Sequence, residues 1–207
     1  MILSHALRAV QKNTAITFVA SEKVNLGTAS TITAAYPAGT QDGDVAFMFI
    51  TADSNMGSGY SATGWTRLDT NTGESDAKAC LLQRVVSGTG SQTFTRSGAI
   101  NGGTYIIATF RNATYSNFAG ADSNGGTSVV NPPSLTGSFN ATVVFGVVSV
   151  VDSTITAPTG YTTIQGEAGP IASSCGGYLL SVQTNPNPST FSGVSASAWV
   201  AYTIGLT

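Results

Sequence analysis

Two nearly unbroken apolar runs, Val45-Ala46-Phe47-Met48-Phe49-Ile50 and Val143-Val144-Phe145-Gly146-Val147-Val148, stand 98 positions apart, and what surrounds the first recurs around the second. Gly64-Trp65-Thr66 returns as Gly160-Tyr161-Thr162 after 96 positions, and Thr93-Phe94-Thr95 as Thr190-Phe191-Ser192 after 97. The stretch from Tyr105 to Phe110 returns as Trp199 to Ile204 after 94, and Leu81-Leu82-Gln83 is matched to Leu179-Leu180-Ser181 at 98. Matches in one order at a near-constant offset mark an internal duplication of a unit of about 95 residues.

Each copy is a series of short β-rich runs between Gly, Pro, Asn and Ser clusters. In the first copy they fall at 15–20, 30–35, 45–51, 79–86, 92–96 and 104–110; in the second, at 141–151, 177–183, 189–191 and 198–204. The two apolar runs require cover on both faces, whereas Thr93-Phe94-Thr95 alternates as a half-exposed strand does. Two open four-stranded units, each with an apolar face, bury those faces by packing on one another. The expectation is an all-β fold: an eight-stranded antiparallel β-sandwich of jelly-roll type built from two similar four-stranded halves. One sandwich would span residues 14–207, with halves at about 14–118 and 129–207 and a crossover at 119–128. Residues 1–13 form an N-terminal arm outside the repeat.

Composition narrows the function classes. The chain of 207 residues holds 8 Lys and Arg and 10 Asp and Glu, only 9% charged, against 24 Gly, 24 Ser and 29 Thr. Helical bundles need the charged helix formers that are scarce here, and 42% hydrophobic residues suffice for a core, which excludes a disordered chain. Residues 112–207 contain no Lys or Arg, so there is no basic cluster for nucleic acid. The longest apolar run, 143–151, is too short to cross a bilayer as a helix, and no membrane association is expected. The first residues lack a basic region followed by a long apolar stretch, so synthesis in the cytoplasm is expected.

No reactive constellation emerges. His5 is the single histidine, there is no Gly-x-Ser-x-Gly elbow, no Cys-x-x-Cys pair and no phosphate loop. Asp42-Gly43-Asp44 reads as a solvated turn opening a strand rather than as paired carboxylates. Asp53-Ser54-Asn55 and Asp122-Ser123-Asn124 offer loop oxygens without the ligand set that calcium requires. Catalytic, cofactor-binding and metal-binding residues are therefore expected to be absent, and no cofactor is implied. Cys80 and Cys175 read as free buried thiols, with a bridge between them as the alternative. Tyr60 and Trp65 bracket the Gly/Ser-rich loop at 53–64. Exposed, they would stack on a sugar ring, but the Tyr161 counterpart of Trp65 also fits a core anchor.

A resemblance rests on Pro37-Ala38-Gly39-Thr40 and Gly43-Asp44 before an apolar strand, then Gly64-Trp65-Thr66, then Leu82-Gln83-Arg84-Val85-Val86, and on repetition of the series. Over about residues 14–207 the chain resembles the β-sandwich domains of tailed-bacteriophage virion proteins, in head decoration (cement) proteins and in tail or fibre components. The resemblance implies a non-enzymatic structural protein of the virion, made in the host cytoplasm, whose partners are the major capsid protein and neighbouring virion subunits, with a homo-oligomer possible. Head decoration is the leading expectation, with Met1, Ile2, Leu3 and Leu7 of the arm as docking residues. The alternative is a tail or fibre module that binds a host surface glycan through Tyr60 and Trp65.

Overall fold

The computed structural model describes residues 15–52, 56–71, 77–98, 100, 102–123, 129–149, 155–168, 172–194 and 197–207. In the first copy the strands are β1 (Thr17–Asn25), β2 (Thr31–Ala34), β3 (Val45–Ala52), β4 (Thr66–Asn71), β5 (Lys78–Val85), β6 (Gln92–Thr95) and β7 (Gly103–Arg111). In the second they are β8 (Tyr115–Ser123), β9 (Ser138–Phe139), β10 (Ala141–Val148), β11 (Thr162–Ala168), β12 (Ser173–Leu179), β13 (Gln183–Thr184) and β14 (Trp199–Leu206). No described residue is helical, so no helix among them could cross a membrane.

Each copy builds its own five-stranded antiparallel sheet. The strand orders are β1-β7-β3-β5-β4 and β8-β14-β10-β12-β11, one arrangement written twice. The two-sheet antiparallel sandwich made of similar halves is as the repeat requires. Each sheet nevertheless has five strands rather than four. A jelly roll shares strands of both chain halves between its sheets; here each sheet is drawn wholly from one half. The seam also moves. Residues 119–123, expected in the crossover, belong to edge strand β8, and the copies meet instead at residues 112–114. Gly120, Asn117 and Asp122 gave β8 the look of a linker, because a half-exposed edge tolerates such residues.

Register corrects one of the repeat matches. Val45 faces Val85 across β3 and β5, and Val143 faces Tyr178 across β10 and β12. With Val45 and Val143 equivalent, Leu81-Leu82 corresponds to Ser174-Cys175, not to Leu179-Leu180, and Arg84 corresponds to Gly177. The glycines disguise β12. A Cβ on Gly176 would stand 2.9 Å from the Phe145 ring, and one on Gly177 would stand 2.6 Å from the Ala157 Cβ. These are strand positions kept bare for close packing, not loop residues.

The apolar runs are continuous because three core layers need them. Val45, Phe47 and Phe49 point between the sheets, where they meet Val143, Phe145, Val147, Tyr202 and Ile204. Phe49 stacks on Phe145 at 5.1 Å and meets Tyr202 edge-on at 6.0 Å. The intervening Ala46, Met48 and Ile50 point outward, beneath Ile32 and Phe94 of the β2–β6 ribbon. On the opposite face Val144, Val148 and Cys175 lie beneath Val130, Ile155 and Phe191. Burying each large apolar side chain contributes about 1.5–3 kcal/mol, so a strand buried on both faces is a strongly held one. A chain of buried hydroxyls also crosses between the sheets: Thr51 to Thr104 at 2.7 Å, and Thr104 to Ser174 at 2.7 Å.

The copies are joined tightly. Thr114 and Thr207 exchange backbone hydrogen bonds of 2.7 and 3.0 Å, and Asn112, at φ 56°, donates its side-chain amide to the Ala15 carbonyl at 3.2 Å. Ala15, Asn112 and Thr207 thus line a single cleft of about 340 Å³, together with the exposed Leu180 and Val182.

Candidate functional site

The residues expected to act on partners fare differently. Met1, Ile2, Leu3 and Leu7 lie outside the described residues. Tyr60 and Trp65 are within them and are buried, at 0% and 9% exposure, which corrects the expectation that they stack on a sugar. The Tyr60 hydroxyl donates to the Ala29 carbonyl at 2.5 Å, and the Arg96 guanidinium sits over its ring at 5.9 Å. Trp65 stacks on Tyr36 at 6.1 Å, meets Phe94 edge-on at 5.0 Å, and donates its indole N–H to Gln92 at 3.4 Å. Both rings hold the 56–65 loop to the sheet, as the core-anchor reading of Trp65 anticipated.

Asp44 is not part of a solvated turn. It is 2% exposed, takes two 3.0 Å hydrogen bonds from Arg111, and accepts the Gln41 backbone N–H at 2.8 Å. Asp42, its neighbour, accepts the Gly88 N–H at 2.7 Å. The two carboxylates serve separate turns and do not converge. Cys80 and Cys175 do not bridge to each other and lie in opposite outer layers, Cys80 above one sheet and Cys175 below the other. Burial raises the Cys175 thiol to about 12, the state of an inert core thiol. Among the described residues no group of three or more His, Cys, Asp or Glu could hold a metal ion.

The two copies differ at the strand entry that follows the 56–65 loop. In the first, Arg84 of β5 reaches over the strand entry at Trp65. It donates to the Gln92 side chain, to the Ser87 carbonyl at 3.0 Å and to the Thr63 carbonyl at 3.4 Å. Its guanidinium lies 3.3 Å from where a Gly64 side chain would begin. In the second copy Gly177 stands for Arg84, Ser189 for Gln92 and Tyr161 for Trp65. The backbone is nonetheless the same: Trp65 N–H bonds the Ala62 carbonyl at 3.2 Å, and Tyr161 N–H bonds the Pro158 carbonyl at 3.0 Å. The isolated bridge Ser61–Thr95 is likewise repeated by Thr156–Ser192.

Beside the strand entry of the second copy lies an open groove of about 380 Å³ lined by Thr159, Tyr161, Gln183, Asn187, Ser189 and the flanking prolines 186 and 188. Tyr161 is half-buried, and its hydroxyl meets Thr142 at 2.9 Å, which fixes the ring against the sheet. Burial raises the pKa of this hydroxyl, and the Thr142 hydrogen bond partly offsets the rise. The two prolines are buried and hold Asn187 outward between them. Ser134 donates to Asn187 Oδ1 at 2.7 Å, which orients the amide. Sequence reasoning missed the groove because its polar residues, Thr159, Gln183, Asn187 and Ser189, lie on separate loop segments and each reads alone as an ordinary loop residue.

No protein-family model, curated protein or solved structure matches this chain.

Proposed function

We propose that the chain is a structural protein of a tailed-bacteriophage virion, a capsid decoration (cement) protein that docks on the major capsid protein and stabilises the head. The observation that carries this reading is the β8 edge. Sheet edges offer unpaired backbone groups to other chains, and proteins blunt the edges they do not use with charges and bulges. Edge strand β1 carries Glu22, Lys23 and a bulge between Phe18 and Ala20; β4 carries Arg67, Asp69 and a bulge between them. Edge strand β11 is bulged between Ile164 and Glu167. β8 has its own bulge at its start, between Tyr115 and Asn117, but beyond it pairs evenly from Asn117 to Ser123, and its only charge is Asp122. An even, almost uncharged edge on a sandwich with so few ionic groups suits contacts with neighbouring subunits that salt does not weaken.

The test is the copy number of this chain in purified particles of the phage that encodes it, relative to the major capsid protein. Hundreds of copies are expected. A few to a few tens would replace this reading with a tail or fibre module, and absence from particles would overturn both.

The tail or fibre reading, with a host surface glycan as ligand, is favoured by one observation of its own, the uncharged groove at Tyr161. The buried Tyr60 and Trp65 do not serve it.

A further inference from the structure

The geometry points to a saccharide-binding site in the second copy, in the groove between Tyr161 and the Pro186-Asn187-Pro188 segment, with a neutral pyranose as its ligand. The inference does not depend on whether the chain sits on a head or a tail.

Three features argue for this ligand class. The lining contains no Asp, Glu, Lys, Arg or His, so a charged ligand would lose its hydration without gaining a counter-charge, whereas a neutral sugar would not face that cost. The half-buried Tyr161 ring provides an apolar face for the C–H surface of a pyranose. Polar groups with capacity to spare converge on the same space. Among the described residues Asn187 Nδ2 has no partner once Oδ1 has taken the Ser134 hydroxyl. Gln183 uses only its Nε2, toward Ser181 and Val182, so its Oε1 remains an acceptor. Ser189 Oγ accepts the Thr159 N–H at 3.1 Å and retains its own hydroxyl proton. Donors and acceptors set about an aromatic floor are what the hydroxyls of a sugar require, and the volume lies within the range of small-ligand sites.

The duplication sharpens the argument. In the first copy the corresponding strand entry is crossed by Arg84, which donates to Gln92, Ser87 and Thr63. At the groove itself Ser189 stands where the first copy has the longer Gln92. Asn187 is held at its rim by two buried prolines and a hydroxyl, an arrangement that costs little conformational entropy when a ligand arrives.

The experiment is a titration of the full-length 15N-labelled chain with N-acetylglucosamine, galactose, glucose and mannose, each followed by amide chemical shifts. At least one sugar is expected to give saturable shifts at Thr159, Tyr161, Gln183 and the Asn187 side-chain amide, with a dissociation constant on the order of millimolar. Asn187→Ala and Ser189→Gln, the second restoring the first copy's residue, are expected to weaken binding by about tenfold or more. Both sites are exposed, and thermal melting confirms that the variants are folded. The proposal is overturned if no sugar gives saturable shifts up to about 50 mM, a concentration well above a millimolar constant. Shifts clustered elsewhere, or binding unchanged in both folded variants, would also overturn it.

Discussion

At the scale of single residues, burial decides chemistry here more than charge does. The Cys175 thiol and the Tyr60 hydroxyl are both pushed up to about 12, chiefly by desolvation. In the unfolded chain these groups lose their protons from about pH 9 and pH 10 upward, while the folded chain still holds them. Below about pH 9 the two forms bind the same number of protons at these sites and stability is at its full value. Above it the folded form binds more, so stability falls as pH rises toward 12, by about 1.4 kcal/mol per pH unit for each group. Urea midpoints at pH 8 and pH 10.5 check this, and equal midpoints would contradict it. A thiol reagent should leave both cysteines untouched until urea is added. Trp65 shows how far a residue's role was legible in the sequence. Its repeat partner Tyr161 identified it as an anchor of the fold, which the stack on Tyr36 confirms. The bare residue, aromatic and beside a Gly-rich loop, suggested sugar binding. The chemistry that favours a sugar lies with its partner instead, and nothing within either residue distinguishes the two cases: what differs is the surroundings, a buried stack against Tyr36 and Phe94 in one copy and a polar groove in the other.

At the scale of elements, strands with one apolar face or two were readable, whereas of the four sheet edges only β1 was, and only in its first half. The runs that became β3, β7, β10 and β14 declare themselves because both their faces are buried. Edge strands β4, β8 and β11 carry Gly, Asn, Asp and Thr that read as loop, since an edge needs only one side of its backbone paired. β12 was placed four residues late because two glycines at its centre sit under Phe145 and Ala157. The β8 edge supports a prediction at this scale. Ala119→Lys puts a charge in the middle of its regular run, the same device that β1 already carries. Occupancy on particles should drop severalfold while the unfolding free energy of the isolated chain changes by no more than about 0.5 kcal/mol. Undiminished occupancy would remove β8 from the contact with neighbouring subunits.

At the scale of the molecule, the duplication carried nearly all of the legible architecture: two copies, two sheets, one shared core. What the sequence did not disclose was that equivalent strands keep their partners while the connections change length. The offset between the copies is 98 at Val45 and Val143, and 94 at Phe110 and Ile204, yet Val45 faces Phe110 as Val143 faces Ile204. Insertions and deletions have been absorbed outside the ladders, where register is not at stake. The cleft where Ala15, Asn112 and Thr207 meet has a consequence for synthesis. Because the first described residue, the seam and the last residue converge there, the order in which the two copies leave the ribosome is not fixed by the fold. A circular permutant that begins at Ala113, crosses from Thr207 to Ala15 by a short Gly/Ser bridge and ends at Asn112 would make the second sheet first and still close the sandwich. It should unfold cooperatively within about 4 °C of the parent, the shift that about 1 kcal/mol produces in a domain of this size. A permutant that melts without cooperativity would mean that the continuous seam is part of what brings the sheets together. A permutant that folds would mean that either sheet can act as the template on which the other is laid down.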